Sequence, residues 1–269
     1  MFNSTPMMHA SGSGDLELVK LVRSYNGSLE GTLHRAAGGP PNKNHSQDGH
    51  ITRFLIDEGA DVNARDDHRK PEHRNGDTPL TVASANNNVF AAEVLLGKGA
   101  NIFMADNDGN TALHNACRSG SPDIVDLILK SAKSEEEVAR LVNPKNKRGE
   151  TPLNCTYPTE TRIIGAMLKN GASATIKNNQ GVSITDKIRE EFMRTAKETK
   201  DAHLGMAIER RAAQEQYLLN ILSNIHASMK AVAQANTFEV GADGAVLKKA
   251  PLGSDTKALG SGPQNKSGA

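Results

Sequence analysis

Three threonine-centred segments recur along the chain: Asn75-Gly-Asp-Thr-Pro-Leu80, Asp108-Gly-Asn-Thr-Ala-Leu-His114 and Arg148-Gly-Glu-Thr-Pro-Leu153. Their threonines, Thr78, Thr111 and Thr151, stand 33 and 40 residues apart. Gly-Ala pairs follow the same rhythm, at Gly59-Ala60, Gly99-Ala100 and Gly171-Ala172. A period of about 33 residues marks a stacked array of small units. Apolar residues are then buried between neighbouring units, and a long surface is left free for another macromolecule.

The recurring residues have local physical reasons. Glycine before the threonine suits the turn that enters a helix, because it reaches conformations closed to other residues. The threonine hydroxyl can cap that helix, and proline fits its first turn. The leucine then points into the core. Gly-Ala ends the second helix of a unit through a left-handed cap.

These segments resemble the ankyrin repeat family over roughly residues 8–185. A degenerate first unit spans about Met8 to Ser28, with Asp15-Leu-Glu-Leu-Val-Lys-Leu-Val22 as its second helix. The next opens with Thr32-Leu-His-Arg-Ala-Ala37 and closes near Asn63. Units three to five are Asp77–Ala105, Asp106 to about Lys145, and Asn146–Lys177. A capping unit begins at Asn178, with Ser183 in place of threonine. The resemblance implies an all-α solenoid of helix-turn-helix units with β-hairpin fingers. It also gives His34 and His114 a structural role, tying neighbouring turns together by hydrogen bonds.

Departures from the pattern predict local differences. Gly38 to Asp48 is a long, exposed Gly-, Pro- and Asn-rich loop. Asp66 to Asn75 lengthens one finger. Ser131 to Val142 reads as extra helix, with Glu136 and Arg140 spaced to pair at i,i+4. Tyr157-Pro158 should end the first helix of the fifth unit early.

Beyond the repeats the chain divides into a helical extension at 186–236 and a tail at 237–269, so that residues 1–185 form the repeat domain. Leu218, Ile221, Leu222, Ile225, Met229 and Val232 recur at spacings of 3 and 4, giving one apolar helical stripe. A bend is expected near His203 to Met206. The stripe is expected to fold back as a cap on the last repeats; the alternative is a coiled coil or a docking helix, through which the chain would self-associate. The tail is rich in Gly, Ala, Ser and Lys and is expected to be disordered.

Charge and composition narrow the function classes. The formal net charge is +1, which gives no global preference for nucleic acid or an anionic membrane. Aromatic residues are 3% of the chain, too few for a base-stacking platform. Two cysteines, Cys117 and Cys155, cannot make a disulfide framework; they read as free thiols of a reducing compartment, a cytosol, or a host cytosol if the chain is a secreted effector. The first 15 residues lack the pattern of a secretory signal, and no run is long enough to span a membrane. No phosphate-binding loop, nucleophile elbow or HExxH appears, so no catalytic residue, cofactor or enzymatic activity is expected.

The functional expectation is therefore a non-catalytic protein–protein interaction module: an adaptor, inhibitor or effector. By the resemblance, its partner-binding residues lie on the finger tips and the exposed side of each first helix. They are Arg74, Asn75 and Asp77, with Ala85 and Asn86, in the third unit; Asn107, Asp108, Asn110, Arg118 and Ser119 in the fourth; and Lys147, Arg148, Glu150 and Tyr157 in the fifth. Arg118, Arg148 and Tyr157 are of the types that dominate interfaces. The alternative is a regulatory or accessory subunit of an enzyme, or a metal-dependent activity at finger 66–75. That finger holds Asp66, Asp67, His68, Glu72 and His73, but the adjacent Arg69, Lys70 and Arg74 compete for the carboxylates, so no metal is expected.

Overall fold

In a computed structural model the described residues are 5–39, 48–66, 75–200, 221, 238–240 and 246–248. Residues up to Ile225 form one compact unit and His226–Ala269 another. The first unit is an all-α solenoid. Its helices are α1 (Pro6–Ser11), α2 (Leu16–Ser24), α3 (Thr32–Gly38), α4 (Asp48–Asp57), α5 (Pro79–Ala85), α6 (Val89–Gly97), α7 (Ala112–Ser119), α8 (Pro122–Ser131), α9 (Glu135–Val142), α10 (Pro152–Cys155), α11 (Thr161–Lys169) and α12 (Ile184–Lys200). First helices stack as α1–α3–α5–α7–α10, and second helices as α2–α4–α6–α8–α11.

The helices begin and end for the reasons the repeat pattern supplies. Thr78 accepts from the backbone N–H of Thr81, whose hydroxyl accepts from the N–H of Thr78, with Pro79 in the first turn. Thr151 accepts likewise from Asn154 N–H. The second helices α4, α6 and α11 close at Gly-Ala. Gly99 takes φ +84°, and the N–H of Ala100 then reaches back to Leu95 O at 2.9 Å. The same bond runs from Ala60 to Leu55 and from Ala172 to Met167.

The core lies between units. Leu80, Leu113 and Leu153 are fully buried, and one continuous apolar cluster runs from Ala37 through them to Ile184, Ile188 and Ile221. A smaller cluster, with Met7, Val19, Leu33, Ile51 and Leu55, holds the first units. Burying each leucine contributes about 2 kcal/mol. Small residues such as Ala83, Ala91, Ala112 and Ala116 are also buried at these contacts, where a larger side chain would hold neighbouring helices apart.

The departures resolve as distinct elements. The extra segment of the fourth unit is α9, capped by Ser134 and buried through Leu141 and Val142. The proposed Glu136–Arg140 pair does not form among the described residues. Arg140 instead lies over the Phe103 ring, 4.6 Å from its centroid, because the ring offers a partly buried cation–π partner that an exposed glutamate does not match. Helix α10 has only four residues, consistent with the break at Tyr157-Pro158. The long finger closes at its base, where Asp66 N–H donates to Asp77 O at 2.8 Å; residues 67–74 lie outside the described residues. So does most of the Gly38–Asp48 loop, together with the expected bend and, apart from Ile221, the apolar stripe. In the second unit, β1 (Phe238–Val240) pairs antiparallel with β2 (Val246–Lys248), Glu239 opposite Leu247. These strands lie in the tail expected to be disordered; Phe238, Val240 and Val246 are strand-forming types. Among the described residues no helix is long and apolar enough to cross a membrane.

Candidate protein-binding face

Three fingers share one construction. Asp106, Asn146 and Asn178 each turn a side-chain oxygen back onto two backbone N–H groups: those of Asp108 and Asn110, of Arg148 and Glu150, and of Gln180 and Val182. Short Asx side chains favour such self-closed turns. Adjacent fingers are then joined along the main chain. Asn107 N–H donates to Asn75 O, Lys147 N–H to Asp108 O at 2.8 Å, and Asn179 N–H to Arg148 O at 3.0 Å.

Histidines tie the first helices to the next finger. His34 Nε2 bonds Asp77 O at 3.0 Å, and His114 Nε2 bonds Glu150 O at 3.1 Å. At His114 the Thr111 N–H donates to Nδ1, so the proton sits on Nε2 and the ring is neutral. Burial is the main reason that its pKa falls to about 4. Asn154 takes the equivalent place in the fifth unit and donates to Ile176 O.

Around Glu150 the fourth, fifth and capping units meet. Arg118 donates to Asn115 Oδ1 and Asn110 Oδ1, both at 3.0 Å, and touches Cys155 Sγ at 3.4 Å. Asn146 donates to Asn110 Oδ1 and to Glu150 Oε2. Arg148 Nε lies 3.1 Å and Arg118 Nη2 3.9 Å from Glu150 Oε2. Burial pushes the Glu150 carboxyl up, but the Asn146 hydrogen bond and the charges of Arg148, Lys187 and Arg118 outweigh it and hold the pKa below the usual value. Burial raises both thiols, Cys117 to about 12, so neither is a poised nucleophile.

The sequence-derived residues that the structure describes thus separate into a floor and a rim. Asn110 is only 4% exposed and is saturated by Asp106, Arg118 and Asn146. Ser119 donates to Ser84 O at 2.7 Å. Asp77 accepts from Thr81, and its pKa is raised by burial first and by the neighbouring Asp106 charge second. Together with half-buried Arg118 and Glu150, these residues brace one unit on the next. Asn75, Asn107, Asp108, Lys147 and Arg148 stand exposed at the finger tips, and Tyr157 is 60% exposed beside them. Ala85, the last residue of α5, and Asn86, its C-cap, are exposed. Arg74 lies outside the described residues. Sequence reasoning missed Asn146, Cys155 and Lys187. The repeated Asx at the finger base was a usable signal for Asn146; nothing local marked the other two.

The second-helix side is different. Three of its cations are paired across units: Arg23 with Glu58, Lys98 with Asp57, and Arg162 with Asp123 and Asp126, at 2.7–2.9 Å. Among the described residues no group of three His, Cys, Asp or Glu side chains is placed to hold a metal ion.

A family model described as ankyrin repeats, in three copies, matches residues 33–140. These residues are ankyrin repeats. An ankyrin repeat protein of Fowlpox virus (strain NVSL) is 31% identical over 133 residues, which cover 48% of this chain and 36% of the viral protein. Human transient receptor potential cation channel subfamily A member 1 is 27% identical over 181 residues, 64% of this chain and 15% of the channel. The mitochondrial disaggregase of Bos taurus is 29% identical over 163 residues, 60% of this chain and 22% of that protein. The likeness thus spans only a fraction of each relative's length, and it carries the ankyrin scaffold rather than their separate activities. Ankyrin repeats indicate a protein–protein interaction module.

Proposed function

We propose that the chain is a non-catalytic adaptor, inhibitor or effector that holds a partner protein against its finger-and-first-helix face, centred on the fourth and fifth units. The observation carrying this reading is the contrast between the two sides. On the finger side Asn107, Asp108, Lys147, Arg148 and Tyr157 stand out from a floor that is hydrogen-bonded unit to unit. A braced floor loses little entropy when a partner docks. On the second-helix side Arg23, Lys98 and Arg162 are already engaged by carboxylates of neighbouring units. The two thiols are unpaired, which suits a reducing compartment such as a cytosol.

Hydrogen exchange on a complex with a partner recovered from native extract tests the face. Protection should fall on residues 107–109, 147–149 and 155–158, with α6, α8 and α11 unchanged. Protection confined to α6, α8 and α11 would reverse the assignment.

A further inference from the structure

Positive charge on the finger side is concentrated at one end. Lys145, Lys147 and Arg148 come from the fifth unit's finger, and Lys177 from the segment entering the capping unit. Lys145 Nζ donates to Lys177 O at 3.1 Å, which brings the two segments together. Asn179 donates to Lys147 O and Arg148 O, at 3.0 Å each, and fixes the backbone of both cationic residues. Arg118 and Lys187 stand behind them on α7 and α12.

Little acid offsets these six cations. Glu150 is engaged by Arg148 and Arg118, and its side chain is 17% exposed. Asp186 is held by Ser183 and Arg189, and the charge of Lys177 also reaches it. The preceding finger contributes the exposed carboxylate of Asp108, whose backbone O accepts from Lys147 N–H. Lys147 and Lys177 are exposed, and neither side chain has an ion-pair partner among the described residues. The whole chain carries only +1, so this excess is a local feature and not a general basicity. Exposed like charges held side by side repel one another, and an anion seated between them relieves that repulsion. Tyr157, two residues after Cys155 in the same unit, adds an exposed aromatic surface.

We infer that the fifth finger and the capping segment form a docking site for an acidic peptide segment of the partner, with carboxylates on Lys147 and Lys177 and an apolar side chain on Tyr157. The inference rests on the proposed binding face and adds the chemistry of what binds there. The scarcity of aromatic residues favours a peptide over single-stranded nucleic acid, which gains its affinity from base stacking.

The test uses the full chain and two fluorescent peptides of about fifteen residues, one repeating Glu-Glu-Leu and one Gln-Gln-Leu, each with a photoreactive group. The Glu peptide should bind at least about tenfold more tightly at low salt and lose that advantage towards about 0.3 M salt. Lys147→Glu with Lys177→Glu should abolish the preference; both residues are exposed, and an unchanged melting curve verifies the fold. Crosslinks should fall between residues 145 and 179. Equal binding of the two peptides, crosslinked to that same stretch, would overturn the acidic assignment and leave the face standing. An acidic peptide crosslinked instead to α6, α8 or α11 would overturn both. No binding by either peptide overturns the inference alone. So does a single-stranded DNA of matched charge that binds as tightly and responds to the same variant, in favour of a nucleic acid.

Discussion

His114 shows how one side chain serves two units. Its ring closes its own helix start through Thr111 and reaches the next finger through Glu150 O. Holding it buried and neutral has a consequence for pH. The pKa falls from 6.5 to about 4, so between those values the unfolded chain holds a proton that the folded chain does not. Stability from this group is complete above its unfolded pKa and declines as the pH drops towards about 4, by up to roughly 3 kcal/mol. Denaturant titrations across that range should show a slope in the native protein that His114→Gln flattens. Parallel curves for the two would show that His114 does not carry the effect. The role of His114 was legible from its place after Thr-Ala-Leu. Glu150 was legible only as a finger position. Its enclosure depends on Arg118 and Lys187, 32 residues before it and 37 after it, and no local pattern couples those three.

At the scale of the element, the fingers carry the geometry of the face, and their glycines are under unequal constraint. Gly149 takes φ +72°, and a methyl group there would collide with both the side chain and the backbone N of Asn179. Gly171 takes φ +85° with open space around it. Alanine at either site meets the left-handed backbone cost of about 1 kcal/mol. Gly149→Ala should therefore be the more destabilising by a further 1 kcal/mol or so, through the clash and the lost seam to the capping finger. Equal melting temperatures for the two variants would mean that the fingers are not packed as described. Repeat boundaries, the short α10 and the inserted α9 were all readable, because threonine, Gly-Ala and proline punctuate the chain. The Arg140–Phe103 stack was not readable, since helical spacing offered Glu136 as the nearer partner while the ring comes from the preceding turn region. Nor was the split of the face into floor and rim. Asn107 and Asn110 look alike in sequence, yet only Asn110 is buried, where it accepts from Arg118 of its own unit and from Asn146 of the next.

At the scale of the molecule, the solenoid has two ends and each must be covered. The first unit closes on Met7 and Val19. At the other end Ile184 and Ile188 of α12 are buried with Ile221, which is 7% exposed and belongs to the continuous core. Ile221 is the second residue of the apolar stripe read from the sequence, so its burial favours a cap over a helix reserved for self-association. Removing residues 205–269 should lower the melting temperature of the repeats and promote aggregation, whereas removing 237–269 should do neither. A monomeric truncation at 204 with an unchanged melting curve would point to a docking or dimerising helix instead.

The central claim is that this molecule binds through the finger tips of its fourth and fifth units. Its most direct test is the affinity of Lys147→Ala, Arg148→Ala, Tyr157→Ala for an identified partner, measured beside a second-helix variant, Asp123→Ala with Asp126→Ala. The three rim changes should weaken binding by about 2 kcal/mol or more, roughly thirtyfold, with helix content unchanged, while the second-helix changes leave it intact. Full affinity in the rim variant, or a loss confined to the second-helix variant, would contradict it.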